Sequence, residues 1–206
     1  MYIPASFHET DLTKQHDFIE QHSFGTLISQ HESEPIANHL PFLLNRDVAP
    51  HGRLIGHMAR ANSQWQTGAG QQVLVIFQGP HAYISPTWYE AQNVVPTWNY
   101  IAVHAYGTLR LIEDHNRLLE IVSRTVQRYE SPRPQPWSID SPEPEFVNKL
   151  LASIVGFEID IERLEGKWKL NQNHPHERRE KVVRGLRATA RHDEMQIADW
   201  MDVVSH

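Results

Sequence analysis

Cysteine is absent from all 206 residues, which excludes disulfides, zinc-thiolate centres and thiol nucleophiles together. No apolar run approaches the roughly 20 residues needed to cross a bilayer, and the opening MYIPASFHETDLTKQ carries neither a basic leader nor an apolar stretch. A cytoplasmic protein without a membrane segment is expected. Low-complexity tracts are missing too, and with 21% charged and 40% apolar residues the chain has the composition of a globular protein. There is no excess of positive charge: the net charge is -6 and the pI about 6.1, so the chain repels phosphate backbones at long range. Contact with DNA would require a local basic patch. None of the 14 histidines belongs to an HExxH, and no helical pair has a matching third ligand, so no metal site is expected. No serine sits in a GxSxG elbow and no nucleophile-base pair is evident, which leaves the catalytic residues unknown.

What the chain does have is an aromatic segment, GPHAYISPTWYEAQNVVPTWNYIAVHAYG at residues 79 to 107. Tyr83, Trp88, Tyr89, Trp98, Tyr100 and Tyr106 are interleaved there with His81, His104, Ser85, Thr87, Thr97 and Asn99. Stacking surfaces beside hydrogen-bonding groups suit a flat ligand. A core hairpin packed with Trp and Tyr accounts for the same composition.

The pattern along the chain is mainly β with peripheral helices. A short helix is predicted over residues 14 to 22. Phe24 to Ser29 and Pro35 to Asn45 read as a hairpin across the polar turn HESE, with Pro41 marking an edge or a bulge. Arg53 to Ala59 is a third strand that runs into a helix at ARANSQW, and VLVIF at 73 to 77 reads as a central strand buried on both faces. A long strand follows from Asn99 to Ile112, then a helix capped by Asp114 that runs to about Tyr129. Ser131 to Pro144 holds five prolines and reads as a loop, followed by a short helix near 143 to 153. Val155 to Leu164 reads as a strand in which Val155, Phe157, Ile159 and Ile161 alternate with Gly156, Glu158, Asp160 and Glu162, the acids on a solvated face rather than in an acid-base pair. A last helix follows Pro175, with Asn173 as its cap. About six strands joined by short connections imply an antiparallel small barrel. One domain over 1-190, with a tail over 191-206, is the expected organisation.

Five segments together carry a family resemblance: NHLPFLL at 38 to 44, GHMARANSQW at 56 to 65, GPHAYISPTWY at 79 to 89, VPTWNY at 95 to 100 and KLNQN at 169 to 173. In this order they resemble the PaiB family, described as FMN-binding negative transcriptional regulators. The resemblance implies an antiparallel FMN-binding split β-barrel similar to pyridoxamine phosphate oxidase. It also implies a homodimer with each flavin in a groove at the subunit interface. Asn171 departs from the pattern, which has a small residue such as Ser at that position.

A flavin requires a phosphate clamp, a groove for its ribityl chain and a wall against its ring. Under the resemblance, Arg60, Ala61, Asn62 and Ser63 supply the clamp at a strand-to-helix junction; a helix cap with an exposed arginine is the alternative. His39 and His57, on strands read as adjacent, either line the groove or are structural. Tyr83, Ser85 and Trp88 are donated by the second subunit, and Trp98 and Asn99 begin the strand that follows. Lys169, Gln172 and Asn173 belong to a C-terminal segment closing over the cofactor.

Two other functions stay open at this stage. A flavin-dependent oxidoreductase acting on a small molecule follows from the fold analogy alone. A haem-binding split barrel is the other, with His174 and His176 as its histidines. Direct DNA binding has one local support, Arg178, Arg179, Lys181, Arg184, Arg187 and Arg191 in HERREKVVRGLRATAR. Glu177 and Glu180 interrupt that run and no helix-turn-helix is evident, so a solvated amphipathic helix is the better reading.

Overall fold

β2 (Phe24–His31) and β3 (Glu34–Pro41) form the hairpin that the polar turn predicts, in register from Phe24 opposite Pro41 to His31 opposite Glu34. Glu32 takes the left-handed conformation the tight turn demands, with φ 54°. This is a computed structural model, and it describes residues 1–204. Eight strands form one sheet, two more than the pattern suggests. Its hydrogen-bonded order is β3, β2, β6, β7, β8, β5, β4, with β1 also pairing to β8. The remaining strands are β1 (His8–Glu9), β4 (Leu43–Asn45), β5 (Arg53–Ala59), β6 (Gln72–Ile84), β7 (Thr97–Ile112) and β8 (Ile154–Lys169).

Two strands outrun their sequence signals. The apolar run predicts a strand ending at Phe77, but β6 continues to Ile84: Pro80, Ala82 and Ile84 are buried in alternation, one residue out of phase with Val73, Val75 and Phe77, the shift falling at Gln78 and Gly79. Only one of its faces is fully buried, since Leu74 and Ile76 are half-exposed. β8 continues past Leu164 because Gly166 and Lys167 pair with Glu9 and His8 of β1, a partner 157 or more residues away in the chain that no local pattern can announce.

The described residues fall into two compact units. The first holds Met1–Phe18, Phe77–His104 and the residues from Glu165 on; the second holds Ile19–Ile76 and Ala105–Leu164. In the second, β3 and β4 are the two ends of the strand order, yet only Phe42 separates them in sequence. Pro41 has no N–H to continue the ladder. The chain instead turns inward at Phe42, whose N–H donates to the Ser23 carbonyl at 2.8 Å and whose ring meets Phe157 edge-on at 5.9 Å. This is a split barrel: its ends are joined by the chain rather than by hydrogen bonds. Leu27, Leu54, Val75, Leu109, Phe157 and Ile159 fill its interior.

α3 (His115–Glu130) closes one side of that unit, capped by Asp114, whose carboxylate accepts from the Arg117 N–H at 2.9 Å. α4 (Pro144–Leu151) follows the proline-rich loop. The acidic face of β8 is an ion-pair lattice, with Arg53 and Arg110 both engaging Glu158 and Asp160.

In the first unit, α1 (Leu12–Gln21) places Phe18 against Trp168 and Trp200, with ring centroids 5.3 and 6.3 Å away. α5 (His176–Ala188) starts from Pro175 as N-cap rather than Asn173. Residues His192–Val203 form α6, which packs on α5 and buries Ile197, Ala198 and Met201. Burial of an Ile or Met side chain is worth about 1.5–3 kcal/mol, enough to hold a helix that is marginal alone at this length.

Candidate functional site

The residues singled out from the sequence divide between the two units. Arg60, Ala61, Asn62 and Ser63 join β5 to the five-residue helix α2 (Gln64–Gly68) in the second unit, at the expected strand-to-helix junction. The Asn62 side chain accepts from the Gln64 N–H at 3.0 Å. Among the described residues the N–H groups of Ala61 and Ser63 have no partner. Arg60 donates from Nε to the Ala152 carbonyl and from Nη2 to the Ile154 carbonyl, both at 3.1 Å, which holds the guanidinium in place. A guanidinium has five N–H donors, so three remain for a ligand. Glu113 approaches Nη1 only at 3.6 Å, across an exposed surface.

His39 and His57 are not on hydrogen-bonded neighbours. β3 pairs with β2, whereas β5 pairs with β4 and β8, and Pro41 and Phe42 stand where the alternation suggested one continuous strand. His39 is exposed, bonded through Nδ1 to Thr26 Oγ1 at 2.9 Å and stacked on Phe24. His57 is half-buried, and burial pushes its pKa down.

In the first unit, Tyr83 and Trp98 are 44% and 52% exposed and meet edge to face at 5.8 Å, with His81 beside them. They form an aromatic wall open to solvent. Ser85 and Trp88 have local duties: Ser85 caps the 3₁₀ turn Pro86–Tyr89, and Trp88 lies against Gly185 of α5. Asn99 is fully buried, its amide donating to Met201 Sδ at 3.5 Å.

Lys169 is half-buried, with Nζ on Thr97 Oγ1 and on the Trp98 carbonyl. Burial lowers its pKa and nearby Lys167 adds to the shift. Gln172 folds back on its own backbone, accepting from the Leu170 N–H and donating to the Trp168 carbonyl. Asn173 lines a cavity of about 340 Å³ that Lys169, Tyr89, Asn171, His174 and Arg178 also border. Tyr89, Asn171, His174 and Arg178 lie outside the flavin-site residues read from the sequence, where His174 is a haem candidate and Arg178 part of the basic run. In the sequence Asn171 is a departure from a pattern, and Tyr89 one aromatic among six. The four-residue spacing of His174 and Arg178 is the signal the sequence offers.

Residues 1–163 match the family described as "Putative FMN-binding domain". The chain belongs to this FMN-binding family. It is 38% identical over 203 residues to "Protease synthase and sporulation protein PAI 2" of Bacillus subtilis, covering 98% of this chain and 97% of that protein. An uncharacterized Aspergillus fumigatus protein is 30% identical, over 90% of each chain. Among solved structures, a conserved hypothetical protein of Mycobacterium tuberculosis has a TM-score of 0.58 at 14% identity, over 85% of this chain and 95% of that one. The FAD and heme binding protein of Mycobacterium smegmatis has a TM-score of 0.56 at 14% identity, over 86% and 80%. At these identities the structures show a shared fold. The PaiB resemblance read from the sequence is borne out, as is the split barrel, and FMN is the cofactor of the family. The residues fit such a group: spare donors and unpartnered amides stand at 60–63, and a solvent-open aromatic wall at Tyr83 and Trp98. No helix among the described residues is long and apolar enough to cross a membrane.

Proposed function

We infer that two copies of this chain enclose FMN, and that the protein is a PaiB-type flavoprotein whose regulatory effect is exerted without direct contact to DNA. The observation that carries the flavin placement is the exposed Tyr83–Trp98 pair, since large aromatics left half in solvent on a strand suit a stacked ring. In this reading Arg60 and the amides of Ala61 and Ser63 hold the phosphate, with Asn62 shaping the turn, while His39 and His57 border the ribityl groove. Tyr83, Ser85 and Trp88 come from the partner copy. Trp98 extends the wall, Asn99 anchors its strand from behind, and Lys169, Gln172 and Asn173 close over the ring. Bound FMN supplies electron- and hydride-transfer chemistry.

The absence of direct DNA contact rests on where the cations of α5 go. Lys181 pairs with Glu90 and Glu177 and Arg187 with Asp199 and Asp202, and beyond the end of α5 Arg191 pairs with Glu194. With Lys181, Arg187 and Arg191 neutralised within the molecule, the basic run has fewer cations left to displace counterions from DNA. A visible absorbance spectrum of the purified protein, followed by denaturation and identification of the released chromophore, tests the cofactor. Light scattering tests the dimer. A mobility shift of promoter DNA at low salt by the flavin-loaded protein would defeat the indirect mode.

The oxidoreductase reading is favoured by the cavity beside Lys169, which has room for a small substrate. Reduction of the bound flavin by NADH or NADPH, followed by reoxidation by a small acceptor, is its test. Haem is disfavoured at His174: its Nδ1 lies 3.2 Å from Arg178 Nη1 and must accept, which puts the ring proton on Nε2, the nitrogen that would bind iron.

A further inference from the structure

We propose that the cavity bordered by Tyr89, Lys169, His174 and Arg178 binds a small organic acid, a carboxylate or phosphate monoester on a compact apolar body, beside the flavin that Lys169 and Asn173 close over, an inference that rests on the flavin placement above. Two cations reach this cavity without a carboxylate. Among the described residues Lys169 Nζ has Thr97 Oγ1 and the Trp98 carbonyl as partners, and Arg178 has the His174 ring and the face of Tyr89. No acidic side chain among the described residues lies within 4.0 Å of either, although Lys181, Arg187 and Arg191 all have such partners. In a chain of net charge -6, leaving unpaired the two cations that face a cavity reserves them for an external anion.

The neutral groups point to the same ligand. The Tyr89 hydroxyl accepts from Asn171 Nδ2 at 3.0 Å, so its own proton is free to be given away. Burial raises the pKa of Tyr89 and keeps that proton in place at neutral pH. His174, accepting at Nδ1, carries its proton on Nε2 and is a second neutral donor. Burial and Arg178 lower its pKa, which keeps it in that form. The site therefore offers donors and positive charge to one ligand group. Val94, Val95 and Pro96 line the cavity as an apolar wall for the rest of the molecule. At about 340 Å³ the space lies at the small end of ligand pockets and suits a compact acid, not a tricyclic ring with its ribityl phosphate.

The same charges could serve the flavin's own phosphate, so the test separates the two sources. Protein saturated with FMN, as judged by its visible spectrum, is titrated calorimetrically with benzoate and with phenyl phosphate. Benzylamine is the control of opposite charge. Saturable binding of at least one acid and none of the amine is expected. Arg178→Gln should weaken the acid by roughly tenfold or more, the loss of one charge-assisted hydrogen bond, with FMN affinity unchanged within about twofold. Tyr89→Phe, which removes only a donor, should weaken it several-fold and stands in should the arginine variant misfold. The proposal is overturned if neither acid binds the FMN-loaded protein, or if both variants bind the acid as tightly as the parent. It is also overturned if Arg178→Gln loses FMN tenfold, which would assign the cavity to the cofactor phosphate.

Discussion

The side-chain amide of Asn171 donates to the hydroxyl of Tyr89 across 3.0 Å, tying the end of β8 to the 3₁₀ turn within the aromatic segment. Both residues are 3% exposed, and Asn171 holds a left-handed backbone with φ 62°. The position that departs from the family pattern is thus a structural joint. Asn tolerates this conformation better than other residues with a Cβ, and its amide reaches the phenol as a serine would not.

Replacing Asn171 separates those two roles. Asn171→Ala loses the hydrogen bond and meets the left-handed penalty, a combined cost of about 2–3 kcal/mol. Asn171→Gly loses only the hydrogen bond. Urea denaturation midpoints should therefore order parent, glycine variant, alanine variant, and equal midpoints for the two variants would remove the backbone argument.

Acid should weaken the fold before any carboxylate protonates. His22, His57 and His174 all have pKa values lowered from 6.5, chiefly by burial, so below pH 6.5 the unfolded chain takes up protons that the folded chain refuses. Stability rises with pH wherever the unfolded state binds more protons. This contribution is present above pH 6.5 and is lost as pH falls through 6.5 toward the lowered folded values. The urea midpoint should fall between about pH 7 and 5.5, and His57→Gln should flatten that slope. A slope unchanged in the variant would show that His57 is not a contributor.

Trp88 and Gly185 constrain each other. A Cβ on Gly185 would sit 2.5 Å from Cδ2 and 2.6 Å from Cγ of Trp88, so the indole must move for any side chain to fit. Gly185→Val should cost about 1–3 kcal/mol through overpacking. The loss should be visible as a lowered melting temperature and a changed near-ultraviolet circular dichroism signal. Trp88→Leu in the same chain should restore part of the loss; if it does not, the clash is not its origin.

The phosphate anchor predicts a difference between two flavins. Arg60→Gln should weaken FMN by about tenfold or more, the value of one charge-assisted hydrogen bond, while riboflavin binding stays within about twofold. Fluorescence titration with both ligands reads this directly. Equal losses for FMN and riboflavin would mean that Arg60 acts only through the Ala152 and Ile154 carbonyls it braces.

The sequence by itself determined the element types and the family. Alternation and punctuation are local signals, so the hairpin at HESE, the Asp114 cap and the helix after Pro175 were legible residue by residue. Five ordered motifs carried the cofactor class. Tertiary structure alone decided how far β6 and β8 run, that β4 leaves β3 at Phe42, and that His192–Val203 form a packed helix. It also gathered Tyr89, Asn171, His174 and Arg178 around one cavity. The reason is physical: a strand's end is set by its partner's hydrogen bonds and a cavity by side chains far apart in the chain, and neither leaves a periodic trace in the residues themselves.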